Sequence, residues 1–384
     1  MPTISAAPAP TKPKSGPVSV RLIDSWEKAN ETLRPHWDAL VMSSSYPNFF
    51  QTWDYLDTWI KHSGGEFTPH ILVAEQADQV VALAPMAVGP VGSGGKKWMR
   101  QLTFLGCGGA GLSEYLDFLI PAGQEAEILP LLLQELKQTA KGSWDVMRLP
   151  MMHDQSASLK ILDDHTPQSF TAKLEKTEEN ASPFVSIPSS WDDYMAGRSA
   201  QFRRSVRRKW NKLHKNHGVK LIEAGKDMPV AEAIEEIIRL HEARWGDDSQ
   251  AFSDDRFAEI HRDLAPRLAK SDRLSMLLLE VDGEIVAGRY DFVFNGILWN
   301  YQGGWLPEHR NLSLGVIMLA YSLQWAIDRG LKEYDYLAGE HDYKSSWADD
   351  ERILTSYEMI NPSSVRGTVF NRVRGIKRRL VPAS

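Results

Sequence analysis

The stretch LSMLLLEVDGEIVAGRYDFVFNGILWNYQGGW, Leu274 to Trp305, decides the fold. It holds three strand-like runs, LSMLLLEV, EIVAGRYDFVF and ILWNYQGGW, separated by Asp282-Gly283 and Asn295-Gly296. These dipeptides tolerate the positive φ angles of two-residue hairpin turns, so the stretch reads as three strands joined by tight hairpins. Upstream, Pro229 to about Trp245 and Ser253 to Lys270 read as two helices, and VKLIEA from Val219 as a strand. Downstream, Leu314 to Arg329 is a helix that Gly330 closes as its C′ residue, EYDYLAG from Glu333 is a strand, and ILTSYEMI from Ile353 completes the sheet.

The first half runs in the same order. VSVRLID from Val18 is followed by helices at Trp26 to about Val41 and Phe49 to about His62, then by strand-like HILVAEQ, VVALAPMAV, RQLTFLG from Arg100 and YLDFLI from Tyr115. Helix Gln124 to Lys141, strand WDVMRLPM from Trp144 and strand TAKLEK from Thr171 close it. The expected fold class is mixed α/β (α+β), with two tandem domains, each a mixed twisted sheet flanked by helices. The expected organisation is a flexible leader at 1–17, domains at 18–185 and 186–362, and a C-terminal segment at 363–384. The leader's five prolines among Ala, Ser, Thr and Lys cannot supply a packed core.

Composition narrows the function classes. A chain of 384 residues is long enough for two domains, and 42% hydrophobic with 24% charged residues is a globular balance. One cysteine, Cys107, excludes an intrachain disulfide framework and any Cys-rich metal centre. The eleven histidines form no H-x-x-x-H or H-E-x-x-H pair, so no catalytic metal is expected. No apolar run is long enough to span a bilayer and the start lacks a signal-peptide core, which sets the expectation of a cytoplasmic protein. The net charge of −6 is uneven: Tyr194 to Lys220 carries nine Lys/Arg and no acid, and Asn361 to Ser384 six more and no acid. Two anion-seeking surfaces on an acidic body follow, and a general DNA binder does not.

The element order resembles the GNAT acyltransferase fold. Between the fourth strand and third helix of the second half stands His309-Arg310-Asn311-Leu312-Ser313-Leu314-Gly315, similar to the GNAT loop [QR]-x-x-G-x-[GA] with serine for its first glycine. Successive backbone N–H groups at such a helix start make an anion site, so the resemblance implies coenzyme A contacts at Arg310, Ser313, Leu314 and Gly315. The bland alternative is a helix start capped by Ser313. FRRSVRRKW (Phe202 to Trp210), LHEARW (Leu240 to Trp245), YDYLAGEHDYKSSW (Tyr334 to Trp347) and FLG…YLDFL in the first half resemble the CelD/BcsL-type acyltransferases, relatives of the FemAB peptidyltransferases. This resemblance spans roughly residues 20 to 360. It implies a tandem GNAT fold, an acyl-CoA (acetyl-CoA) co-substrate, and a sugar-type acceptor in polysaccharide, cellulose or envelope chemistry. Aminoacyl-tRNA-dependent peptidyl transfer and a non-catalytic subunit of a polysaccharide synthase stand as alternatives, with tRNA a partner only under the first.

Within the basic helix, Phe202, Val206, Trp210 and Leu213 form an apolar stripe, and Arg203, Arg204, Arg207, Arg208, Lys212 and Lys215 cover the other faces. With no acid to pair them, these cations read as a phosphate-binding face, the alternative being an idle solvated one. In a GNAT fold the fourth and fifth strands splay around the thioester. That places Asp335 as base, Tyr343 as acid and Lys344 as electrostatic clamp, with Glu340 and His341 nearby, or else Asp335 paired locally and Tyr343 and Trp347 in the core. His241 is the alternative base, or a structural histidine. Arg244, Trp245, Tyr301 and Trp347 complete the expected substrate- or phosphate-binding set. Gly106 to Gly111 satisfies G-x-G-x-x-G, but LSEYLDFLI after it is strand-like where a dinucleotide site needs a helix, so it reads as a turn, with Cys107 a buried thiol. Finally, Val365, Val369, Val373, Ile376 and Leu380 share one face of a basic helix, expected either to touch the inner membrane surface peripherally or to pack on the second domain.

Overall fold

The structure, a computed structural model, is described for residues 16–93, 96–108, 113–246, 255–339 and 342–380, without the side chains of 63, 64, 92, 93, 96, 169, 342, 343 and 373–380. The first repeat consists of β1 (Val18–Ile23), α1 (Trp26–Thr32), α2 (Arg34–Ser43), α3 (Trp53–Ser63), β2 (Thr68–Gln76), β3 (Gln79–Ser93), β4 (Lys96–Phe104), α4 (Glu125–Thr139), β5 (Val146–His153), α5 (Ala157–Phe170) and β6 (Glu175–Ser186). Helices α6 (Trp191–Ala196) and α7 (Ala200–Asn216) lead into the second repeat. It contains β7 (Val219–Glu223), α8 (Val230–Trp245), α9 (Asp255–Lys270), β8 (Leu274–Val281), β9 (Glu284–Phe294), β10 (Ile297–Trp305), α10 (Leu314–Asp328), β11 (Glu333–Asp335), α11 (Asp342–Ser345) and β12 (Asp350–Ile360). Helix α12 (Val365–Leu380) ends the described chain.

Two compact units result: Met1–Asn180 with Ile353–Ser384, and Ala181–Arg352. Strands of the first run β1-β2-β3-β4-β5-β12, and those of the second run β7-β8-β9-β10-β11-β6. In each, the one parallel junction is that between the fourth and fifth strands, over Gln101–Thr103 with Val146–Arg148 and over Ile297–Trp299 with Glu333–Asp335. The last strand of each repeat therefore completes the sheet of the other: β12 pairs antiparallel with β5 from Leu354 to Ile360, and β6 pairs with β11 through Phe184 to Ser186. This differs from contiguous domains at 18–185 and 186–362. A strand's own side-chain pattern specifies its faces, not the edge it joins.

The second unit packs α8 directly on its sheet because two strand positions lack a Cβ. A Cβ at Gly304 would sit 2.2 Å from the Leu240 carbonyl carbon, and one at Gly288 2.6 Å from Ile237 Cδ1. Gly303, which pairs with Arg289 beside the directly paired Gly304 and Gly288, faces the Arg289 side chain instead. The β9–β10 register breaks between Trp299 and Gln302, a bulge that coincides with the end of β11 pairing, so β10 parts from β11 at Asn300.

The expected strand YLDFLI is instead irregular. Tyr115 adopts φ 60°, and its carbonyl and that of Asp117 accept hydrogen bonds from the Asn48 and Gln51 side-chain amides at 2.9 and 2.5 Å. Side chains thus satisfy a backbone that the pattern would have given to a neighbouring strand. Likewise Thr171, expected in a strand, is the left-handed cap of α5.

Candidate functional site

After Trp305 the chain makes a 3-10 turn over Pro307–Leu312, and Ser313 (φ 57°, ψ 40°) opens α10 without a side-chain capping bond. A capped start is therefore not what Ser313 supplies. The N–H groups of Val316 and Ile317 both reach the Ser313 carbonyl, at 3.0 and 3.3 Å, which leaves Leu314 and Gly315 ahead of the first backbone ring. Leu314 is buried, so it faces this opening only through its backbone, and a Cβ at Gly315 would meet nothing within 4 Å. Arg310 is exposed beside it, and the first turn of α10 carries no acid.

Helix α7 reaches the same place. Its Val206 and Leu213 are buried, Trp210 packs on Tyr321 of α10 at 4.7 Å, and His214 Nε2 lies 2.8 Å from the Tyr321 hydroxyl. Lys212 Nζ then donates to the Asn311 carbonyl at 2.9 Å, inside the loop that precedes α10. Of the expected phosphate ligands, Arg204, Arg207 and Arg208 are exposed. Arg203 is not available: it donates to the carbonyls of Ala196 and Arg198, at 3.3 and 2.6 Å, and fastens the turn ahead of the helix.

At the end of β11, Asp335 and Lys344 are both engaged within the protein. Asp335 is fully buried and accepts from Ser182 Oγ at 3.0 Å, from the Leu337 N–H at 2.8 Å and from Arg352 at 3.0 Å. Arg352 also grips Glu333 at 2.7 Å and lies 3.7 Å over the Phe184 ring. The carboxylate is thus paired locally, the alternative that the sequence left open. Lys344, 7% exposed, donates to the carbonyls of Leu337 and Ala338, both at 3.4 Å, and secures the turn after β11 where a clamp for substrate charge was expected. Trp347 is core: it stacks on Tyr194 at 6.0 Å and meets Phe202 edge-on at 5.0 Å. The side chain of Tyr343, and Glu340 and His341 altogether, lie outside the described residues.

A second group forms where α8 ends against β10. Arg244 lies 4.3 Å over Trp245 and 5.6 Å from the Trp305 ring. His241, one turn earlier and 4% exposed, has its ring 6.3 Å from Trp245. Burial first and the Arg244 charge second push the imidazole pKa down to about 4, opposed by a hydrogen bond with the Gly303 backbone, so the ring is neutral at pH 7. Trp305 was missed in the sequence; its only signal is its place after Gly303-Gly304 at a strand end. Tyr301, on the bulge and half-buried, directs its hydroxyl to His261 Nε2 at 3.2 Å, while Nδ1 of that histidine lies 3.3 Å from the Tyr290 hydroxyl. Burial lowers the His261 pKa to about 3. His261 follows Phe257 by one helical turn and reads in sequence as ordinary core.

Sequence reading also missed a buried polar network. Tyr334 donates to Asp291 Oδ2 at 3.1 Å and accepts from Asn300 at 2.8 Å, and Arg289 approaches Asp291 at 3.5 Å. Burial raises the Asp291 pKa and Arg289 opposes it. Two opposite charges inside GRYDFVF were the available signal.

In the first unit the glycine-rich segment is a turn. Gly106 and Gly108 have positive φ, Ser113 Oγ donates to the Gly106 carbonyl at 2.7 Å, and Trp59 donates to that of Gly108 at 3.3 Å. Residues 109–112 lie outside the described residues. Burial pushes the Cys107 thiol up to about 12, which keeps it protonated and unreactive. Among the described residues no group of three or more His, Cys, Asp or Glu could hold a metal ion.

These features define a class. Residues 200–345 match the family model described as acetyltransferase (GNAT) domain, a segment that falls within the second unit. Among solved structures, FemX is similar at TM-score 0.61 and 12% identity over 85% of this chain and 96% of that one. A conserved protein of unknown function from Bacteroides thetaiotaomicron VPI-5482 is similar at TM-score 0.56 and 14% identity, over 89% and 100%. A tandem GNAT protein from the clavulanic acid biosynthesis pathway is similar at TM-score 0.51 and 12% identity, over 91% and 100%. No curated protein sequence matches the chain. The fold is that of tandem GNAT proteins, and residues 200–345 are similar to the GNAT acetyltransferase domain.

Proposed function

We propose that the second unit transfers an acyl group, acetyl in the simplest case, from a coenzyme A thioester to an amine or hydroxyl of a sugar-type acceptor. The observation that carries this reading is the Lys212–Asn311 contact, which holds the acid-free face of α7 against the open start of α10. Backbone N–H groups of Leu314 and Gly315 with Arg310 suit a pyrophosphate, and Arg204, Arg207 and Arg208 suit a further phosphate. The thioester carbonyl belongs in the gap where β10 leaves β11, and the acceptor on the Arg244, Trp245 and Trp305 platform, whose indole faces suit a sugar ring. The acceptor's nitrogen or oxygen attacks the thioester carbon, the C–S bond breaks, and the acceptor's proton ends on the thiolate sulfur. In this scheme neutral His241 accepts that proton and Tyr343 is the proton donor. A role in polysaccharide or cellulose biosynthesis rests on the resemblance of YDYLAGEHDYKSSW and is part of the proposal.

The same cations suit an aminoacyl-tRNA, so the donor is what the experiment must separate. Calorimetry with acetyl-CoA should give saturable binding without RNA, and Arg204→Glu with Arg208→Glu should weaken it roughly tenfold at low salt and less at high salt, since exposed charges are screened within about 10 Å at 0.1 M. No acetyl-CoA binding, with transfer that requires aminoacyl-tRNA, overturns the coenzyme A reading.

A further inference from the structure

The described chain exposes three large apolar side chains, Trp98 at 39%, Val365 at 79% and Val369 at 49%, and all three stand around the start of α12. Val365 and Val369 are one turn apart. Phe370 meets the Trp98 ring at 5.9 Å, and Arg366 donates to the Trp98 carbonyl at 3.4 Å. The helix is fastened through a different face: a Cβ at Gly367 would come 2.6 Å from the Asp145 carbonyl oxygen, and Ser364 Oγ donates to the Asp145 carboxylate at 2.6 Å. The valines are therefore left outward by the way α12 docks, instead of packing as the bland expectation had it.

Their surroundings are cationic. Arg366 and Arg372 are exposed on the same helix, and Asn361 to Ser384 contains six Lys/Arg and no acid. We propose that this face of the first unit docks on an anionic lipid bilayer, with the valines and Trp98 at the headgroup boundary and the arginines on lipid phosphates. The two valines offer a nucleic acid nothing to stack on, the Trp98 ring packs against Phe370, and two copies of a cationic face repel across a two-fold axis, so a bilayer fits best. No described helix is long and apolar enough to cross a membrane, so the contact is peripheral.

Cosedimentation of the full chain with phosphatidylglycerol-rich vesicles and with phosphatidylcholine vesicles tests this independently of the acyltransferase reading. Binding to the anionic vesicles alone, weakening with salt, is expected. Val365→Glu with Val369→Glu, which change only exposed positions and should keep the wild-type melting curve, should cut partitioning roughly tenfold or more, and Arg366→Glu with Arg372→Glu should lower the salt dependence. Absence of binding at low salt, equal binding to both vesicles, or no effect of the glutamates overturns the proposal. So does a concentration-dependent dimer that the glutamates abolish, which would make the face a self-contact.

Discussion

The same order of strands and helices builds both units, yet the helix after the fourth strand starts in opposite electrostatic settings. In the first unit α4 has Glu125 and Glu127 in its first turn, and Glu125 accepts from the Gly123 N–H at 2.7 Å and from Ser45. The helix start is filled by the protein's own carboxylate. In the second unit α10 has no acid there, Gly315 is uncovered, and α7 brings cations to the loop. The strands differ in the same sense: β4 pairs with β3 in unbroken register from Met99 to Phe104, whereas β10 bulges at Asn300 and Tyr301. One repeat fills its helix start with its own carboxylate; the other leaves that start free of acid. Duplicated architecture therefore supplies a scaffold, and the proposed donor site rests on the local charge at one helix start.

The comparison breaks most severely at the helix–sheet contact peculiar to the second unit. Gly304→Ala forces a methyl group against the α8 backbone, where no rotamer change can make room, and should destabilise by about 3 kcal/mol or more. Urea denaturation measures it, and a variant as stable as wild type would mean that α8 does not sit so close. A smaller effect is expected from copying the first unit into the second. Gly315→Glu gives α10 the carboxylate that α4 already has, in open space, and should lower acetyl-CoA affinity on the order of 10- to 100-fold with folding intact. The reverse change, Glu125→Gln, should leave that affinity unchanged, and calorimetry on both variants tests the assignment.

The smallest effect is on the pH dependence of stability, where the units oppose each other. Folded His241 and His261 titrate at about 4 and about 3 against an ordinary 6.5, so below about pH 6.5 the unfolded chain takes up protons that the second unit refuses. Stability falls as pH drops from there, by up to about 1.4 kcal/mol per pH unit for each histidine. In the first unit burial pushes Asp117 up to about 6 from 3.8, so it holds a proton that the unfolded chain has released, and its contribution is lost as pH rises from about 4 through 6. Asp117→Asn should steepen the acid loss of stability between pH 4 and 6, because it removes the opposing term. Denaturation midpoints across that range check the sign.

Much of this was legible in the residues. The turn dipeptides at Asp282 and Asn295 marked the hairpins, and both residues adopt the positive φ they were chosen for, 54° and 52°. The apolar stripe of α7 was readable because Val206 and Leu213 pack by helical periodicity. Site chemistry was less so. Asp335, Lys344 and Trp347 sit in a segment rich in reactive residue types, and nothing in their spacing tells a counter-ion, a turn fastener or a core ring from a catalyst. The Asp291–Tyr334 network and the Arg244–Trp305 contact join residues 43 and 61 positions apart, beyond the reach of any local pattern.

Periodicity, turn residues and charge runs by themselves determined the element order of the second repeat, most of that of the first, and the two cationic segments, because each depends on neighbours within a few residues. Tertiary structure alone decided that β6 and β12 complete the opposite repeat's sheet, that Glu125 fills one helix start while α7 leaves the other open, and that Val365 and Val369 face outward. Those outcomes depend on which edges and faces meet across long sequence separations, and a strand or helix carries the same side-chain pattern whichever partner it finds.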